Sequence, residues 1–311
     1  MPSAGLTASI WLGLGVLLYR ALLERRARVV DASAEAHDPQ LMAHRGRSPL
    51  VLVPIANPDS AAAMVDVAHA LAPPGVGRVL LLSVVAPRAG DWQPGERLPQ
   101  LAAMQAVLGE AVSASFATGL TPEALATVAA EPWPEIVRVS RIHRCESLLL
   151  GLSRINSSHI EALISEVDCD VVVLHAPPGW KLKNVRRVLV PTAGQGGHDK
   201  FRARLLGNLC RTGAREVTFL RILLAAVPEP RRAEAERSLQ GYAQVEVPNS
   251  AQALVTCSDD VVQEVVEQAQ NSDLVVLGLQ WVNRNRKQFG ELALAVAQEV
   301  NCATVMISRR R

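Results

Sequence analysis

A chain of 311 residues, 49% hydrophobic and 20% charged, has the balance of a globular protein of about two domains, which excludes a disordered chain. A net charge of +2, with no basic stretch interleaved with aromatics, sets nucleic acid aside as a partner. Aromatics make up only 4%, so the core is built from alanine, valine and leucine, as in parallel sheets buried on both faces.

Residues 4–19, AGLTASIWLGLGVLLY, carry no charge, and Arg20, Arg25, Arg26 and Arg28 follow them. The run reaches spanning length through Leu23 if Arg20 snorkels, which predicts a membrane helix in residues 1–29. The basic cluster behind it places residues 30–311 on the cytoplasmic side. The expectation is a fragment of a larger membrane protein that starts inside its last span. A signal peptide would carry its charge ahead of the apolar run. An amphipathic helix packed on the protein is the stronger competing reading. Residues 30–48 are polar and alanine-rich, broken by Pro39 and Gly46, and read as a linker.

The aliphatic run at 49–56, PLVLVPIA, is a central parallel strand, and Asp59 or Ser60 caps the helix behind it. A second strand covers 78–85, a helix 101–117, a short strand 125–129, a helix 134–143, a strand 146–152, a helix ending at Val167 and a strand 170–175. Strand and helix alternate, which predicts a doubly wound parallel sheet. Residues 177–185 are a linker, after which the pattern restarts. RVLVPTAG at 187–194 answers VLVPIAN at 51–57, with Pro191 in the place of Pro54. Strands at 216–223 and 252–257 and a helix at 231–242 follow, then a helix capped by Ser258. LVVLGL at 274–279 answers SLLLGL at 147–152, and CATVMIS at 302–308 answers CDVVVLH at 169–175. The fold class is α/β: two tandem doubly wound five-stranded sheets over 49–176 and 186–308, preceded by the membrane helix.

The stretch 273–291, DLVVLGLQWVNRNRKQFGE, has the outline of a phosphate site: a buried strand that breaks at Gly278, a loop with Arg284, Arg286 and Lys287, and a helix starting at Gly290. Gly194, Gly196 and Gly197 form a second glycine-rich turn, open to a backbone nest. Cys145, Cys169, Cys210, Cys257 and Cys302 are odd in number and widely spaced, without a CxxC pair. They read as buried reduced thiols of a cytosolic compartment rather than as zinc ligands or a disulfide framework. His143, His159, His175 and His198 are not spaced to meet a nucleophile and a carboxylate. Asp168, Asp170, Asp259 and Asp260 are cap and turn residues rather than a metal cluster. The chain is expected not to be an enzyme.

The strand ending VLVP, the strand ending LG, the loop to a glycine-led helix and the closing strand together resemble the universal stress protein domain, twice over residues 49–308. The resemblance implies strand order 3-2-1-4-5 in each copy and an intramolecular pseudo-dimer, in which Val171–Leu174 pairs with Val305–Ile307. Such pairing buries two aliphatic edges. With a membrane helix in front, the chain is similar to the cytoplasmic tail of amino acid permeases of the amino acid, polyamine and organocation superfamily; some cation/proton antiporters and chloride channels carry such domains too.

Nucleotide-binding members of that family have a second glycine where this chain has Trp281, a hydroxyl where it has Glu291, and an aspartate where it has Ala193 or, in the first copy, Ala56. A carboxylate at Glu291 repels phosphate. The candidate ligand set is Pro191, Thr192, Gly194, Gly278, Arg284, Arg286 and Gly290 in the second copy, with Gly151, Ser157 and Ser158 in the first. The two serines also serve as helix caps. No cofactor follows from the residues; the resemblance implies ATP or another adenine nucleotide at a degenerate site. The expected role is a regulatory, ligand-sensing module of a membrane transporter, partnered by the membrane and the upstream transporter domain and assembling as a homo-oligomer. The alternatives are an adenine-nucleotide binder acting apart from transport and the tail of a cation/proton antiporter.

Overall fold

Among the described residues twelve stretches are extended, and ten of them are rich in Val, Leu and Ile, the residues that fit a pleated surface covered on both sides. The computed structural model describes residues 48–308 apart from 74, 88–98, 118–120, 153–157, 193–199, 249, 279, 283–285 and 289–290. The expected membrane helix and first linker lie outside the described residues. No helix among the described residues is long and apolar enough to cross a membrane.

In chain order the first half runs β1 (Leu50–Pro54), α1 (Pro58–Leu71), β2 (Arg78–Val85), α2 (Pro99–Ala117), β3 (Glu123–Val128), α3 (Pro132–Ile142), β4 (Ser147–Leu152), α4 (Ser158–Glu166) and β5 (Asp170–His175). A 3-10 turn at Leu182–Asn184 follows. The second half runs β6 (Arg187–Pro191), α5 (Lys200–Thr212), β7 (Glu216–Leu223), α6 (Glu229–Glu246), β8 (Ala251–Cys257), α7 (Val261–Ala269) and β9 (Leu274–Gly278). It closes with β10 (Gln280–Val282), β11 (Arg286–Gln288), α8 (Glu291–Glu299) and β12 (Ala303–Ser308).

Ten strands make one sheet, in the order β3-β2-β1-β4-β5-β12-β9-β6-β7-β8. Every neighbouring pair is parallel except β5 and β12, which run antiparallel with Leu174 opposite Val305 and Val172 opposite Ile307. Both strands are aliphatic, and joining them removes two open edges. Backbone hydrogen bonds recur between the halves: Ile55 N–H to Leu82 O and Thr192 N–H to Leu220 O at the strand ends, Glu146 N–H to Leu50 O and Asp273 N–H to Arg187 O at the starts. Helices α1, α2, α5 and α6 contribute to the core on one face of the sheet, and α3, α4, α7 and α8 to the core on the other.

The halves are tied by polar contacts as well. Arg204 of α5, only 8% exposed, donates from Nη1 and Nη2 to the Glu146 carboxylate at 3.2 Å each. One turn on, Asn208 Nδ2 donates to Ala70 O at 2.6 Å and Ala72 O at 3.3 Å, satisfying the open end of α1. Local chemistry explains why Glu146 reaches across. In the second half Asp273 Oδ2 accepts from the N–H groups of Arg186 and Arg187, at 2.8 and 2.9 Å. The residue matching Arg186 is Pro49, which has no N–H to offer.

Several sequence expectations change. Asn57, not Asp59 or Ser60, caps α1: its Oδ1 accepts from Asp59 N–H at 3.0 Å, and Pro58 begins the helix. Asp260, not Ser258, caps α7 by accepting from Gln263 N–H at 3.0 Å. The stretch after β5 is no loose tether, since Leu182 and Val185 are buried and Trp180 packs on the core. Arg215, itself buried, holds it by donating to Leu182 O at 3.3 Å. Of the cysteines, Cys145 and Cys169 are buried and the other three are half-buried; all are free thiols.

Candidate functional site

In an open α/β sheet the crevice forms where neighbouring strands send their chains in opposite directions. Here β1 and β4 are that pair in the first half, β6 and β9 in the second. Each pair keeps two register positions, Val51 with Ser147 and Leu52 with Leu148, Val188 with Leu274 and Leu189 with Val275. Because β5 and β12 are antiparallel, the two crevices open at opposite ends of the sheet.

The second crevice holds Pro191 and Thr192 at the end of β6 and Gly278 at the end of β9. The Thr192 hydroxyl donates to Leu220 O at 3.3 Å, and the same carbonyl accepts from its N–H at 2.8 Å. A Cβ on Gly278 meets no described atom within 4 Å, so backbone approach is open there. Gly194, Arg284 and Gly290 lie outside the described residues.

Arg286 and Lys287, expected in a basic loop, instead belong to β11. That strand pairs antiparallel with β10, placing Lys287 opposite Trp281 and Arg286 opposite Val282. The alternation Gln-Trp-Val and Arg-Lys-Gln across three intervening residues is a hairpin signal that the basic character obscured. Strand β11 also lies against α4 of the other half. A short strand pair, over residues 280–282 and 286–288, thus stands within the stretch whose sequence has the outline of a phosphate loop.

In the first crevice Gly151 has a packing reason to be glycine. A Cβ there would sit 2.9 Å from Sδ of Met64, a buried side chain of α1. Ser158 starts α4, and Ser157 lies outside the described residues. The structure therefore brings Pro191, Thr192 and Gly278 together and separates them from Gly151. His175 Nδ1 sits 3.1 Å from Leu152 O, and His175 faces Thr304 across the β5–β12 junction. No group of three or more His, Cys, Asp or Glu that could hold a metal occurs among the described residues.

No family model and no curated protein sequence matches the chain. Solved structures do. A putative universal stress protein from Pseudomonas aeruginosa UCBPP-PA14 superposes with a TM-score of 0.55 at 10% identity, over 86% of this chain and 95% of that one. A universal stress protein from Archaeoglobus fulgidus DSM 4304 gives 0.55 at 15%, over 85% and 97%. The fold is universal stress protein-like. The cytoplasmic domain of a prokaryotic cation chloride cotransporter shares it, with a TM-score of 0.55 at 15% identity over 84% of this chain and 95% of that one. At these identities the likeness is one of fold.

Trp180 and Glu299, neither of them singled out in the sequence, line with Asp273 a cleft of about 600 Å³ at the end of the second half remote from its crevice. Trp180 carried a usable signal: a lone tryptophan in a short linker has little reason to remain in water.

Proposed function

We propose that the chain is a regulatory, ligand-sensing module of a membrane transporter, built from two tandem universal stress protein-like copies over residues 49–176 and 186–308. The observation that carries this reading is the ten-stranded sheet completed within one chain, a fold shared across 84% of it with the cytoplasmic domain of a cotransporter. The transporter in this reading is an amino acid permease, and residues 1–29 are its last span, with the module on the cytoplasmic side. Regulation requires that the module contact two transporter states unequally. Catalysis is no part of the role, and homo-oligomers form through the transporter.

The nucleotide reading is weaker on physical grounds. Met64 fills the space at Gly151, and a hairpin follows Gly278. Two experiments test the proposal. Flux through the transporter encoded in this reading frame, with and without residues 49–308, should differ; equal flux refutes regulation. Titration with ATP should give no saturation in the micromolar range, whereas saturation abolished by Arg284→Ala would establish the nucleotide binder instead.

A further inference from the structure

The end of each half away from its crevice can be compared residue by residue. His143 N–H donates to Val139 O, as Gln270 N–H does to Val266 O. Val167 N–H donates to Leu163 O, as Val300 N–H does to Val296 O. Arg141 thus corresponds to Gln268, Glu166 to Glu299 and Asp168 to Asn301.

In the first half the exposed Arg141 guanidinium bridges two elements at this end. Its Nη2 donates to Glu166 O, a terminal carbonyl of α4, at 2.9 Å, and its Nε lies 3.4 Å from the Asp168 carboxylate. In the second half the Gln268 side chain turns back along α7 and donates to Glu264 at 3.1 Å. The counterparts of the two residues that Arg141 contacts, Glu299 and Asn301, line a cleft of about 600 Å³, a size that suits small molecules. Its lining includes Asp273, Glu299, Asn301 and Trp180 and, among the described residues, no lysine, arginine or histidine. The carboxyl ends of α7 and α8 reach it, bringing the negative ends of two helix dipoles. Asp273 is held in place by the two backbone N–H groups it accepts from. In the wall, burial pushes the Cys302 thiol pKa up to about 11, against its own backbone hydrogen bond, and the Asp273 charge adds a lesser rise.

We propose that this cleft binds a small organic cation, a guanidinium or primary ammonium on a short aliphatic chain, against the counterparts of the residues that Arg141 contacts in the first half. The cationic head takes up the terminal carbonyl of α8 together with the Glu299 carboxylate and the Asn301 amide oxygen. The aliphatic stem covers part of Trp180.

The test is calorimetric titration of the whole chain with agmatine, which carries both head groups, and with succinate as the charge-inverted control. Agmatine should saturate a single site and succinate none. Glu299→Gln should weaken agmatine about tenfold, the scale of one charge-assisted hydrogen bond, while its counterpart Glu166→Gln leaves binding unchanged. Gln268→Arg installs the first half's own cation and should abolish binding, with circular dichroism confirming that the variant is folded. Arg141→Gln should open a second site. Failure of agmatine to saturate by about 10 mM overturns the proposal, as does undiminished binding to folded Gln268→Arg.

Discussion

The Glu146–Arg204 pair offers the sharpest test of how the two halves are joined. Glu146→Gln keeps the shape and removes the charge, leaving a guanidinium that is 8% exposed facing a neutral amide. Breaking a fully buried pair this way costs about 3–5 kcal/mol. The Glu146 side chain is 34% exposed, so water screens its half of the pair, and about 2 kcal/mol is expected. Arg204→Met removes the buried charge and refills much of the volume beside Phe201, whose ring lies 5.6 Å from the guanidinium carbon. What remains is a carboxylate that turns to solvent, at a cost of about 1 kcal/mol. The double variant should cost about 2 kcal/mol, no more than Glu146→Gln alone and less than the additive sum of about 3, a coupling of about 1 kcal/mol. Urea denaturation at constant slope measures all three. If Glu146→Gln costs less than Arg204→Met, loss of the carboxylate opposite a buried guanidinium does not govern the stability of this contact and the reasoning fails.

Glu246 is fully buried and accepts from Arg202 Nε at 2.9 Å and Nη2 at 2.6 Å, so Glu246→Ala should destabilise by about 3–5 kcal/mol in the same denaturation assay. Burial lowers the His69 pKa from 6.5 to about 4, so this ring is neutral in the fold at pH values where the unfolded chain would bind a proton. Its contribution is complete above the unfolded value and is lost as pH falls from 6.5 towards 4. Discounted for partial solvent access, it amounts to about 2 kcal/mol, and His69→Gln should flatten that part of a stability–pH curve. Gly151→Ala should cost about 1 kcal/mol through the Met64 contact, read as a lower melting temperature that Met64→Ala in the same chain no longer accentuates. Asn208→Leu should cost about 1–3 kcal/mol by stranding the Ala70 and Ala72 carbonyls, and an isosteric Asn208→Asp should not restore the loss, since it lacks the donor.

The sequence by itself determined the α/β class and the identity of the sheet strands, because aliphatic runs such as Leu50–Pro54 and Leu274–Gly278 have a single stable destination, a surface covered on both faces. It also determined where such a sheet bends its chain, through Pro54, Pro191, Gly151 and Gly278. Function-bearing detail was less legible. A glycine reads alike whether a ligand or Met64 approaches it, and Arg286 reads alike in a loop or a hairpin strand; only tertiary contacts separate these cases. Choice of cap shows the same limit, since Asp59, Ser60 and Asn57 all qualify by type and backbone geometry selects Asn57. The tertiary structure alone decided that Glu146 pairs with Arg204, that the stretch at Trp180 docks, and that Arg141 reaches the end of α4 in one half while Gln268 turns back along α7 in the other. Each of these depends on groups far apart in the chain meeting at one point. Local propensity carries no information about such meetings, whereas the burial of an unpaired charge, costly in free energy, enforces them.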